Sequence, residues 1–225
     1  MFEGFTDETL RMFMDIRFHN YTSYFHEQHD RYIETVQKPF YALIEDLSDA
    51  MTDIDPQMEI RPYKCLAHIH RDTRFSKDKS PYRDHLWFLF RRAGEPREKS
   101  LNYFFEFGPD RLNWGMGFWG ENREALDIFR KKMTANPDGI LSLIDHLEMD
   151  RHKLYLDAGY HKRMTVPDGI PERLKNWYLI KYFYICRIQP GFDICFSEKL
   201  RDVVKGDFKA LAPLYRLLRG CCDEL

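Results

Sequence analysis

Leu101-Asn102-Tyr103-Phe104-Phe105-Glu106-Phe107-Gly108-Pro109-Asp110-Arg111-Leu112-Asn113-Trp114-Gly115-Met116-Gly117-Phe118-Trp119 decides the fold class. Leu101–Phe107 and Leu112–Trp119 read as strands, because aromatic residues dominate both runs. Gly108-Pro109-Asp110-Arg111 between them is a turn sequence. Apolar residues stand on both faces of these strands, so helices should cover part of the second face.

Working outward, Leu86 to Arg92 reads as another strand, with Leu86, Phe88 and Phe90 on one face and Trp87 and Leu89 on the other. Before it, Tyr63, Cys65, Ala67 and Ile69 alternate with Lys64, Leu66, His68 and His70. That period of two predicts a strand over 63–70. Ala93 to Glu98 reads as a loop. Gly115 and Gly117 fit positions of close backbone approach on a strand.

Helical periodicity frames this core. Thr6 is placed as an N-cap with Asp7 and Glu8 in the first turn, and the helix should run to about Phe18. Phe25, His29, Tyr32, Ile33, Val36, Phe40, Leu43, Ile44, Leu47 and Met51 form one stripe with steps of three or four. The stripe keeps its phase across Pro39, which predicts one long helix kinked there. Asn122 and Asn136-Pro137 should cap two further helices. Lys153 to Met164 is read as extended with a bend at Gly159, and Trp177 to Ile188 as a strand. A final helical region starts at Ser197, with Gly206 and Pro213 expected to split or bend it.

The resulting class is α+β: a mostly antiparallel sheet from residues 63–119 and parts of 153–188, packed by the long kinked N-terminal helix and further helices. One domain is expected over 1–225, helical over 1–53, with its sheet core at 63–119 and mixed helices and strands over 120–225.

Composition narrows the function. The 225 residues are 44% hydrophobic, 16% aromatic and 31% charged, as in an ordinary folded domain with a core rich in Phe and Tyr. A net charge of -2 excludes a strongly basic nucleic-acid binder. No apolar run approaches the roughly 18 residues of a membrane span, and Met1-Phe2-Glu3-Gly4 lacks the pattern of a signal peptide. Cys65, Cys186, Cys195, Cys221 and Cys222 make an odd count without framework spacing, which predicts reduced thiols in a cytoplasmic protein. Asn20-Tyr21-Thr22 is then a glycosylation sequon by accident only.

The most unusual chemistry lies in Ile69-His70-Arg71-Asp72-Thr73-Arg74-Phe75-Ser76-Lys77-Asp78-Lys79-Ser80-Pro81-Tyr82. This run resembles the signature of the family called domain of unknown function 2461, roughly R-I-x-R-D-x-R-F-S-K-D-K-x-P-Y-K. Asn20 with Tyr24-Phe25, Tyr32, Pro39, Gly115-x-Gly117, Arg130 and Pro213-Leu214 extend the resemblance over most of the chain. It implies a single α+β domain in a bacterial protein, and it supplies no catalytic residues. His68 stands where the family tends to have Arg, Arg83 where it tends to have Lys, and Tyr24 where it tends to have Trp.

Three functional readings follow from the residues themselves. Arg71, Arg74, Lys77, Lys79 and Arg83, with Tyr82, form a candidate site for a small anion or phosphorylated ligand, since guanidinium offers paired donors to phosphate. Alternatively, Asp72, Asp78 and Asp84 neutralise these cations in an internal ion-pair lattice within a structural or interaction protein. The third reading is a hydrolase or transferase of phosphorylated substrates, with Asp72 or His70 as the acid or base. Five cations against three acids leave an excess of only two, which argues against nucleic acid as a partner. His68, His70 and His85 could in principle approach one another, but no zinc motif accompanies them, and no metal or cofactor is assigned. Ser76-x-x-Lys79 matches a serine-nucleophile motif without its partner motifs and is rejected. Gly115 to Gly120 matches no phosphate cradle. Cys221-Cys222 reads as a helix end with one thiol buried and one exposed. Oligomeric state is left open.

Overall fold

The chain builds a five-stranded antiparallel sheet in the order β1-β2-β3-β5-β4, formed by Leu86–Phe90, Leu101–Gly108, Arg111–Phe118, Ile180–Ile188 and Tyr155–Tyr160 respectively. The structure is a computed structural model that describes residues 1–96 and 99–225. Arg97 and Glu98, the end of the expected 93–98 loop, lie outside the described residues. Contacts divide the chain into two compact units. The first is Met1–Phe90, Phe104–Trp114 and Ile188–Lys205, and the second is Arg91–Tyr103, Gly115–Arg187 and Gly206–Leu225.

In the first unit, α1 (Asp7–Phe18) starts where Thr6 leaves the extended region. α2 (Thr22–Glu27) and α3 (His29–Tyr32) follow, then a π-helical turn over Ile33–Gln37 and α4 (Lys38–Ile54). The chain is therefore helical from His29 to Ile54, and the predicted stripe is its buried face: Tyr32, Val36, Phe40, Leu43, Ile44, Leu47 and Met51 are all at most 4% exposed.

The irregularity sits one turn before Pro39, for a physical reason. Pro39 has no N–H to return to the Thr35 carbonyl, and its ring crowds that carbonyl in a regular helix. The chain widens so that the Lys38 N–H reaches Ile33 O, five residues back. The fully buried Thr9 hydroxyl of α1 donates to Thr35 O at 2.6 Å. Phe2, Phe5, Phe13, Phe40, Phe88, Phe105 and Phe107 fill the core, each at most 2% exposed. Phe5 stands 4.6 Å from Phe107 and 5.0 Å from Phe40, centroid to centroid.

Residues 63–70 do not form the expected strand. Pro62 opens a short helical turn, α5 (Pro62–Cys65), as its fixed φ favours. Only then does the chain become extended. It touches β1 through one bridge, Leu66↔Phe88, and closes on itself through another, His70↔Tyr82. Burial of Cys65 and Ile69 explains the alternation that the sequence carries.

In the second unit, Asn122 accepts from the Ala125 N–H at 3.2 Å to cap α6 (Arg123–Ala135). Asn136 accepts from the Gly139 N–H at 3.0 Å to cap α7 (Pro137–Asp145). Both helices begin where the Asn residues predict. β4 pairs antiparallel with β5, Tyr155 opposite Cys186, and its register breaks between Gly159 and Tyr160, at the expected bend. Trp177 is not in a strand. It lies in the last turn of α8 (Glu172–Leu179), which buries Leu174 and Trp177 three residues apart, and the strand begins at Ile180. α9 (Lys199–Asp223) runs through Gly206 and Pro213 as one helix, so neither residue splits it. No helix among the described residues is long and apolar enough to cross a membrane.

Candidate functional site

The signature segment belongs to the first unit and hangs from a narrow two-stranded neck. Arg71 N–H donates to Pro81 O at 2.8 Å and Arg83 N–H to Ile69 O at 2.9 Å, so residues 72–80 form the loop beyond. Asn20, just past α1, holds the neck from both sides: its amide donates to Tyr82 O and its carbonyl accepts from Tyr82 N–H, each at 2.9 Å. Tyr82 is 2% exposed and stacks on Phe25 with centroids 4.1 Å apart. Tyr82 is therefore an anchor before it is anything else.

Within the loop, carboxylates tie down their own neighbourhood. Asp72 accepts from the Arg74 backbone N–H at 3.1 Å and from its guanidinium at 3.0 and 2.8 Å. The Arg74 contact holds the Asp72 carboxyl down at about 2. Hydrogen bonds from the Ser80 side chain, from its backbone N–H at 2.9 Å and from Arg71 keep the Asp78 carboxyl well below the usual carboxylate range. Lys79 donates to Thr73 O at 2.8 Å. Side-chain exposures of 78% and 55% for Arg74–Asp72, and 29% and 54% for Arg71–Asp78, place these pairs at the surface. Such exposed, solvent-screened pairs add little to stability.

The concave feature lies at the root of the loop. A cavity of about 410 Å³ is lined by Arg17, Arg71 and Arg83 with Asn20, Asp78, Ser80, Tyr82, Asp84, His85 and Trp87. Arg17 comes from the last turn of α1. Its Nε donates to Asp84 at 2.6 Å and another guanidinium nitrogen to Asp110. Arg83 donates to the carbonyls of His68 and His70 and lies over the Trp87 ring, 5.0 Å from its centroid. Arg71 uses Nη1 for Asp78, and its Nε and Nη2 have no partner among the described residues.

Three guanidiniums against Asp78 and Asp84 leave this lining one positive charge in excess. Burial opposes ionisation of Asp84, but hydrogen bonds from His85 and Arg17 outweigh it and hold its pKa below the ordinary value. His85 Nδ1 meets Asp84 Oδ1 at 2.9 Å, and its Nε2 lies 3.6 Å from Glu106 Oε1. The cavity is therefore lined by three guanidinium side chains, a half-buried carboxylate hydrogen-bonded to an imidazole, and a tryptophan.

Of the residues named from the sequence, Arg71, Tyr82 and Arg83 line this cavity. Arg74, Lys77 and Lys79 are exposed on the loop outside its lining, and so is Asp72. His70 faces a different cavity, which it shares with His68, whereas His85 lies here. No group of three or more His, Cys, Asp or Glu among the described residues is arranged to hold a metal ion. Cys221 is buried and Cys222 half-buried, and burial pushes both thiols up to about 11, away from thiolate chemistry. Sequence reasoning did not place Arg17 in the site, because its partner Asp84 is 67 positions away and no local pattern joins them.

These features sit within a known family. The profile described as conserved hypothetical protein (DUF2461) matches residues 8–217. The chain belongs to that family. No curated protein matches it.

Proposed function

We propose that the cavity between Arg17, Arg71 and Arg83 binds a small anion, the phosphate of a phosphorylated ligand foremost. The observation that carries this reading is the convergence of three guanidiniums on one concavity, with Arg71 keeping two nitrogens unmatched. Guanidinium forks suit phosphate oxygens geometrically and electrostatically. An internal lattice would need these charges buried, and the loop's ion pairs are instead exposed. Five free cysteines support a cytoplasmic setting for this binding.

Inorganic phosphate is expected to raise the melting temperature of the parent and of Arg74→Ala alike. Arg71→Ala should bind phosphate at least about tenfold more weakly, the effect of losing one charge-assisted hydrogen bond. Removing an exposed pair leaves the fold intact, which circular dichroism checks. The proposal fails if phosphate has no effect on the parent, or the same effect on Arg71→Ala.

One observation favours an enzyme reading beside it. The imidazole at the cavity is His85 rather than His70, and Asp84 orients it. In a phosphomonoester hydrolase the water oxygen would form a bond to phosphorus as the ester P–O bond breaks. His85 would deliver the proton to the departing alcohol and regain one from water. Turnover of an alkyl phosphate such as glycerol 2-phosphate, whose alkoxide leaving group needs the proton, should then fall at least about a hundredfold in His85→Asn while phosphate binding persists. Absence of turnover in the parent removes this reading and leaves the binding proposal standing.

A further inference from the structure

A second cavity of the first unit, about 400 Å³, has a different character. Its floor is apolar and aromatic, with Phe25 and Tyr32 each 4% exposed beside Leu66 and Ile69. Tyr63, His68 and His70 form an exposed rim. None of its twelve lining residues is Asp, Glu, Lys or Arg, although at 31% charged a lining of that size would carry roughly four. Polar groups open to solvent also line it. The Gln37 amide and the ring nitrogens of His68 and His70 have no hydrogen-bond partner among the described residues, and the Tyr41 phenol also lines the space. Ile33 and Gln37, the first and last residues of the π-helical turn, both face it, and such turns recur at functional sites.

We infer that this cavity binds an uncharged planar heterocycle of the nucleobase kind. An ion would give up its hydration against a lining that returns no opposite charge. A saturated apolar molecule would leave the amide and imidazoles unanswered. A flat ring with donors and acceptors on its edge meets both conditions, offering a face to the exposed Tyr63 ring and its edge to Gln37 and the histidines. This site is separate from the anion cavity and does not depend on it.

Saturation-transfer NMR with free adenine tests the inference, with cyclohexanol as an uncharged non-planar control. Adenine should receive saturation from the parent and cyclohexanol should not. Two variants at the rim and wall, Tyr63→Ala and Gln37→Ala, should each weaken adenine binding by about tenfold. Circular dichroism and the melting temperature of each variant should match the parent, which shows that they fold. No transfer to adenine at millimolar concentration overturns the inference, as does equal transfer to cyclohexanol. Adenine binding that neither variant weakens overturns it too, because the ring would then sit elsewhere.

Discussion

Replacing Arg130 with alanine is expected to destabilise the second unit by about 2–5 kcal/mol, the range for leaving two backbone carbonyls without their donor. Arg130 is 6% exposed on α6. Its Nε donates to Tyr178 O at 2.8 Å, another nitrogen donates to Ile180 O, and Nη1 meets Asp127 at 2.6 Å. Those two carbonyls flank the point where α8 gives way to β5. A helix end leaves its last carbonyls without intrahelical donors, and here one guanidinium answers them. Alanine would strand both carbonyls and leave a space the size of the side chain. Arg130→Lys keeps the charge but has no planar fork to span the two oxygens, so it should recover less than half of the loss. Urea denaturation followed by circular dichroism measures both, and a cost below about 1 kcal/mol for alanine would contradict this account of the junction.

Gly115→Ala is expected to cost more than about 3 kcal/mol, at the severe end for forcing volume into packed structure. A Cβ at position 115 would lie 2.0 Å from Ile185 O and 2.7 Å from Cys186 Cα. Two residues on, at Gly117, the same atom would meet Phe183 O at 2.1 Å and Tyr184 Cα at 2.8 Å. Both obstacles are backbone of β5, so no side-chain rotation relieves them, and the strands would have to part. Gly206→Ala supplies the contrast. It lies inside α9 with nothing within 4 Å of the new methyl, and should gain up to about 1 kcal/mol from helix propensity. Denaturation midpoints that move in opposite directions for the two substitutions bear this out; equal shifts would refute it.

Elements were legible where local chemistry was sufficient. The turn at Gly108–Arg111, the Asn caps at 122 and 136 and the stripe from Tyr32 to Met51 each depend on neighbours within a few residues. Gly115 and Gly117 were legible as close approaches, although their partners at 183–186 were not. The reading failed where a helix start lay hidden in an apparent strand. Pro62 turns the first residues of 63–70 into a helical turn, and α8 carries Trp177 because Leu174 and Trp177 share a helical face.

For the candidate site, the sequence by itself determined the family signature, the density of cations and the neutralising aspartates. Only the tertiary structure separated cations that converge from cations that splay. Arg74, Lys77 and Lys79 share the loop with Arg71 but lie outside the cavity's lining, while Arg17 arrives from α1. Spacing along a chain specifies which residues share a strand or helix face. A concavity is made by elements whose separation in sequence carries no periodic signal, so its lining is decided by the packing of α1 and the neck around Asn20, Tyr82 and Phe25.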